Sequence, residues 1–166
     1  MKSYPQALTN PIFELIGQIA DEKQLSCYVI GGFVRDFFLK RPTPSDIDIV
    51  CIGSGIELAK AVAEKLPGSP KVSIFKNFGT AMIKSASFEL EFVGARKESY
   101  QRNSRKPAVE NGTLDDDQKR RDFTINALAL SLNSTNFGCL LDPFEGLEDL
   151  DKQIIKTPLN PEETYS

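Results

Sequence analysis

The chain has 166 residues, 40% hydrophobic and 26% charged, with a net charge of -3 from 20 Lys+Arg against 23 Asp+Glu. That length suits one domain with a real core, and the balance excludes a protein that coats nucleic acid by bulk charge, though not a local basic cleft. There is no histidine, which removes a Ser-His-Asp triad, a Cys-His pair and imidazole metal ligands, so any catalysis must use carboxylates, cations and oxygen-bound metals.

In chain order, the first stretch, MKSYPQALTNP, is polar and carries no apolar leader segment, and no window approaches a membrane span. Three cysteines, Cys27, Cys51 and Cys139, are too few and too widely spaced for a disulfide framework or a zinc site. Free thiols and no membrane segment set the expectation of a cytoplasmic protein. Asn10 and Pro11 read as an N-cap and first helical residue, and Ile12, Phe13, Leu15, Ile16, Ile19 and Ala20 then recur at helical spacing. Cys27–Ile30 reads as a short strand ended by Gly31 and Gly32, with a short helix over 33–39. A loop with two prolines leads to a strand on which Asp46, Asp48 and Val50 alternate with Ile47, Ile49 and Cys51.

An amphipathic helix over 55–66 comes next, then strand candidates at Val72–Phe75, Thr80–Lys84 and 88–93, the last two forming a hairpin. Residues 95–118 are poor in apolar side chains and read as a mobile loop, basic first and acidic later. The spacing predicts a helix over 119–130, with Phe123, Ala127 and Leu130 on one face, then a strand over 138–141 and a polar helix over 145–151. This order predicts an α/β (α+β) domain, a small mixed sheet with helices mainly on one side.

Asp46 and Asp48, two apart on a strand, share a face. They are either a solvated edge or a Mg²⁺ site, since oxygen-only ligands suit a hard cation. Two such ions, about 4 Å apart, clamp the attacking and leaving oxygens of a nucleotidyl transfer. Glu89 and Glu91 share a face on a neighbouring predicted strand, and either is a candidate third carboxylate. Gly31 and Gly32 before a helix allow close approach of a phosphate. Arg35, on the first turn of that helix, sits at the positive end of the dipole, which favours a bound anion; its alternative is a salt bridge to Asp36 or Asp48. Lys119, Arg120 and Arg121 crowd a second predicted helix start in the same sense. Asp122 and Asn126, four apart, share a face suited to a ribose or base edge. A salt-bridge network with Asp115, Asp116 and Asp117 is the plainer account.

The runs GGFVRDFFLKR…SDIDIV, EFVGARKESY, TLDDDQKRRDFTINALAL and DPFEGLEDLDKQII, in this order and spacing, resemble the bacterial class II tRNA nucleotidyltransferase and poly(A) polymerase family over roughly residues 25–166. The resemblance implies a head domain of the polymerase-beta-type nucleotidyltransferase fold. It implies Mg²⁺ on Asp46 and Asp48, with Glu91 ahead of Glu89 as third carboxylate. It implies a triphosphate against Gly31, Gly32 and Arg35, and a nucleotide pocket lined by Arg121, Asp122 and Asn126. Residues 97–113 resemble a flexible loop that helps switch between CTP and ATP.

The implied reaction is attack of a tRNA 3′-hydroxyl on the α-phosphate of CTP or ATP, as in CCA addition, with A-only or poly(A) addition as cousins. A nucleotide-binding module without turnover, and an antibiotic-type nucleotidyltransferase, are the readings from other classes; the RRDFTINAL run argues against the latter. Gln118 departs from the usual leucine, and PEETYS resembles the point just before the family's neck helices. The expectation is therefore a single head domain over 1–166, without the neck residues that select the base or the body and tail that hold tRNA.

Overall fold

A computed structural model describes residues 2–100, 107–111 and 127–142, together with residues 146 and 148. Helix α1 spans Pro11–Glu22 and is capped as the sequence predicts, with the Asn10 side chain accepting a hydrogen bond from the Ile12 amide at 3.0 Å. Strand β1 spans Cys27–Ile30, α2 Gly32–Phe38, β2 Asp46–Cys51 and α3 Gly55–Lys65. Then come β3 at Val72–Phe75, β4 at Thr80–Lys84, β5 at Glu89–Gly94, β6 at Arg96–Tyr100, β7 at Pro107–Asn111, β8 at Ala129–Ser131 and β9 at Leu140–Leu141.

Among the described residues seven strands form one sheet in the order β3-β4-β5-β2-β1-β8-β9. Only the β2–β5 pair is parallel among these neighbours; the others are antiparallel. The parallel pair demands a long crossover, and α3, β3 and β4 supply it.

The helices gather on one face. Cys27 and Val29 of β1, Ile47 and Ile49 of β2, Leu90 and Phe92 of β5, and Leu128 and Leu130 beside and on β8 enter the same core as Phe13 and Ile16 of α1 and Leu58 and Val62 of α3. The rings of Phe13 and Phe33, 5.1 Å apart, join α1 to α2. Gly17 of α1 lies against the Leu132 backbone, where a Cβ would overlap the carbonyl oxygen. Asn133 ties the end of α1 to the start of β1. Its side-chain oxygen accepts from the Cys27 amide at 2.8 Å, and its side-chain nitrogen donates to Asp21 at 2.9 Å and to the Leu25 carbonyl at 2.8 Å. A smaller apolar cluster, Ile30, Val50, Ala95 and Ala129, is buried apart from the main core. Among the described residues no helix is long and apolar enough to cross a membrane.

Two expectations need correction. Residues 95–118 are not one loop, because β6 and β7 pair within them as a separate two-stranded antiparallel ribbon, Arg96 opposite Asn111 and Tyr100 opposite Pro107. The helix predicted over 119–130 does not reach Leu130: Ala129–Ser131 is a strand, and it pairs with β1 through Tyr28–Ser131 and Ile30–Ala129. The run from Ala127 to Leu132 is buried at every position, so the chain spans a sheet filled on both faces. Residues 119–126 lie outside the described residues. The predicted strand over 138–141 is narrower, at Leu140–Leu141, and Gly146 and Glu148 are helical where a helix over 145–151 is predicted.

Candidate functional site

Strand β2 owes its placement to Ile47 and Ile49, 3% and 0% exposed, which anchor one side of it in the core. Alternation then carries Asp46 and Asp48 to the face away from the helices. The parallel register sets Asp46 directly opposite Glu89 and Asp48 directly opposite Glu91. Directly opposed residues on neighbouring strands share a face, so the sheet collects all four carboxylates on one side. Neighbouring strands lie about 4.8 Å apart, and residues two apart on a strand about 6.7 Å. The four therefore form a compact patch.

Register also separates the two glutamates. Asp48 stands between Ile30 of β1 and Glu91 of β5, and Met82 of β4 flanks Glu91 on its far side. Glu89 stands in the next row with Lys84 opposite it on β4. A lysine in register with Glu89 meets part of the repulsion in the Asp46–Glu89 pair; the sequence pattern gave no sign of it, because β4 alternates like any hairpin strand. Tyr28, Ile30, Val50 and Ala129 occupy the same face beside the carboxylates, Ile30, Val50 and Ala129 fully buried. Of these neighbours, alternation along its own strand predicts only Val50; Tyr28, Ile30 and Ala129 come beside the carboxylates through the strand order and register.

Among the described residues no group of three or more His, Cys, Asp or Glu converges as a metal cage. A Mg²⁺ ion does not demand one, since it is commonly held by one or two carboxylates together with substrate phosphates and water. The donor set fits such an ion: only oxygens, two from one strand and a third carboxylate across the register.

Helix α2 begins beside this patch, because Ile30, the last residue of β1, pairs with Asp48. Gly31 adopts φ 82°, ψ -139°, a conformation open to glycine and strained for other residues. Its amide donates to the Leu128 carbonyl at 3.3 Å, and its carbonyl accepts from the Arg35 amide at 3.0 Å. Gly32 leaves a bare backbone: a Cβ there would lie 3.4 Å from Nη2 of Arg35, so the guanidinium group folds back over it. Arg35 Nε donates to Asp36 Oδ1 at 3.0 Å, and Arg41 lies 3.8 Å from the same oxygen.

The salt bridge to Asp36 considered for Arg35 is thus present. Arg35 is the fourth of seven helical residues, in the last turn rather than the first, but its guanidinium group reaches back to Gly32 at the helix start. Arg121, Asp122 and Asn126 lie outside the described residues. An apolar cleft of about 530 Å³ opens between the start of α1 and the end of α3, near Leu15, Leu66 and Phe88, and no candidate residue lines it.

A family model of the poly(A) polymerase head domain matches residues 27–156. The chain belongs to this family. As such a head domain it has the polymerase-beta-type fold that the resemblance implies, with the paired aspartates on a central strand of the mixed sheet. An A-adding tRNA nucleotidyltransferase of Aquifex aeolicus is 45% identical over 132 residues, covering 80% of this chain and 16% of the relative. A solved tRNA nucleotidyltransferase, complexed with a primer tRNA and an incoming ATP analog, is 40% identical with a TM-score of 0.73, over 87% of this chain and 39% of that one. A CCA-adding enzyme solved with CTP is 32% identical with a TM-score of 0.78, over 95% of this chain and 36% of that one. The chain thus spans well under half the length of each of these proteins.

Proposed function

We propose that this head domain, read as a single unit over 1–166, carries the nucleotidyl-transfer site of a tRNA 3′-end nucleotidyltransferase that adds CMP or AMP. The observation that supports this most is the register that sets Asp46 and Asp48 against Glu89 and Glu91, beside the Gly31–Gly32 turn. In this reading Asp46 and Asp48 hold Mg²⁺, and Glu91, opposite Asp48, is the third carboxylate. When bound, two such ions neutralise the triphosphate and activate the attacking hydroxyl.

Gly32 adds no side chain at the triphosphate, and Arg35, held by Asp36 and folded over Gly32, presents its guanidinium group to the phosphate oxygens. The family resemblance assigns base and ribose contacts to Arg121, Asp122 and Asn126. The RNA 3′-hydroxyl oxygen bonds to the α-phosphorus of ATP or CTP as the bond to the bridging oxygen breaks, and pyrophosphate leaves with that electron pair. The similarity to A-adding and CCA-adding enzymes supports ATP, CTP and tRNA as substrates and leaves A-only addition as the close alternative. Such an enzyme acts in the cytoplasm, where free thiols stay reduced.

The test offers a protein containing this chain a tRNA lacking its terminal CCA or A, with labelled CTP or ATP and Mg²⁺. Label is expected in the RNA, lost on chelation and restored by added Mg²⁺. Asp46→Ala and Asp48→Ala should each lower incorporation at least ~1,000-fold with the fold retained, in line with the weight of electrostatic stabilisation at such centres. Normal incorporation by either variant refutes the metal assignment.

A further inference from the structure

We propose that the β3–β4 edge of the sheet is the track for the single-stranded 3′ end of the acceptor RNA, with Phe75 and Phe78 as stacking platforms for its bases. This rests on the nucleotidyl-transfer reading above. In that reaction the attacking and leaving oxygens lie roughly in line on opposite sides of the α-phosphorus. The triphosphate side of the site is the α2 and β1 side, where Gly32 and Arg35 lie. The strand order puts β5, β4 and β3 on the other side of Asp48. The acceptor strand therefore approaches over that half of the sheet.

That half carries what a single strand needs. Phe75 pairs with Thr80, Thr80 with Val93 and Val93 with Val50, which puts Phe75 on the carboxylate face of the sheet. Phe75 is 46% exposed and Phe78 61% exposed, an unusual outlay of aromatic surface to water. Phe78 is not on a loose tip. It closes a 3-10 turn, Lys76–Phe78, in which the Gly79 amide donates to the Lys76 carbonyl at 3.2 Å and the Thr80 hydroxyl to the Phe78 carbonyl at 3.2 Å. The backbone that carries the Phe78 ring is thus fixed in advance. Three strand spacings, about 14 Å, separate β3 from β2, so the rings would meet bases behind the reacting terminal nucleotide.

Charge points the same way. Between Glu64 and Glu89 the sequence holds Lys65, Lys71, Lys76 and Lys84 and no acidic residue, in a chain whose net charge is -3. Lys71, Lys76 and Lys84 are exposed. Aromatic rings interleaved with lysines along one edge match a sequence-tolerant contact to single-stranded nucleic acid. A second copy pairing along β3 is the competing occupant. The strand is four residues long and preceded by Pro70 and Lys71, features that blunt an edge against such pairing.

The experiment titrates the chain into a fluorescein-labelled eight-nucleotide single-stranded RNA ending in ACC and follows anisotropy. The double variant F75A/F78A should bind about tenfold or more weakly. F75Y/F78Y should stay within about twofold of wild type, while F75L/F78L, apolar but unable to stack, should fall with the alanine variant. Replacing Lys71, Lys76 and Lys84 by Gln should flatten the salt dependence.

The surface assignment fails if wild type does not bind, if F75A/F78A binds as wild type does, if leucine serves as well as phenylalanine, or if sedimentation shows that the phenylalanines hold a dimer. In parallel, binding of a fluorescent ATP analogue is measured with wild type and Asp48→Ala. Phenylalanine-dependent RNA binding without nucleotide binding would sink the nucleotidyl-transfer reading and leave the surface standing. Metal-dependent nucleotide binding with unchanged RNA affinity in F75A/F78A would sink the surface alone.

Discussion

Arg35 shows how one residue serves two demands. Its ion pair with Asp36 fixes the side chain, and its fold over Gly32 places the remaining guanidinium nitrogens near a glycine backbone. The side chain is 29% exposed, so the ion pair is partly screened by water and contributes little to stability. Arg35→Ala should therefore raise the KM for ATP or CTP about tenfold or more while shifting thermal unfolding only slightly. Arg35→Lys should recover only part of the loss, because an ammonium group lacks the planar fork. Steady-state kinetics and a melting curve on the same samples check both halves.

At this scale much was legible. A two-residue spacing on a strand suffices to predict that Asp46 and Asp48 share a face, and the same holds for Glu89 and Glu91. What spacing does not contain is register. Only the observed pairing sets Glu91 against Asp48 and Glu89 between Asp46 and Lys84. The turn on which Arg35 sits was misplaced because it depends on a helix boundary, the feature that sequence reading locates least well, although its guanidinium group still reaches the helix start.

Among the elements, α1 carries a prediction that runs against propensity. Gly17 lies inside a 12-residue helix, where alanine is ordinarily better by about 1 kcal/mol. Here a methyl group would strike the Leu132 carbonyl, a backbone atom that cannot swing aside. Gly17→Ala should lower stability by about 1–3 kcal/mol through overpacking, read as a lower urea midpoint with an unchanged slope. A rise in the midpoint would mean that α1 and the strand behind it separate easily.

The elements that sequence reading recovered are those with a one-sided pattern, such as α1 and α3, whose apolar stripes are visible in the chain, as is the α1 cap Asn10. The three strands it missed lack that contrast. The sequences RKESY of Arg96–Tyr100 and PAVEN of Pro107–Asn111 carry no one-sided apolar pattern to read, and Ala129–Ser131 sits in an apolar run that suits a helix as well as a buried strand.

For the molecule as a whole, the buried cysteines set a pH limit. Cys27 and Cys51 face each other across β1 and β2, 0% and 1% exposed. Burial pushes the Cys51 thiol from its ordinary 9.0 up to about 12, and burial, followed by the nearby Cys51, pushes Cys27 up as well. The unfolded chain gives up these protons above pH 9 while the folded one keeps them. Stability from this source is therefore whole below pH 9 and falls as pH rises from 9 toward 12. The urea midpoint should drop between pH 8 and pH 10 (about one unit either side of the free-thiol value), and the drop should be smaller in C27A/C51A. Equal slopes in both proteins would show that other groups govern the alkaline limit.

The order of the strands has a consequence for how the molecule comes into being. β1 lies between β2 and β8, and its Tyr28 meets Ser131, more than a hundred residues later. β2, in turn, waits for β5, since Asp48 meets Glu91 only after the whole crossover has been made. A ribosome releasing this chain exposes the aspartates early, but their partner across the register and the strand that closes the β1 side arrive late. Such long-range pairings pay loop-closure entropy before they are rewarded and so form slowly. A stalled or shortened nascent chain would present an unpaired β1 edge, and the cell's folding machinery would meet the protein there first.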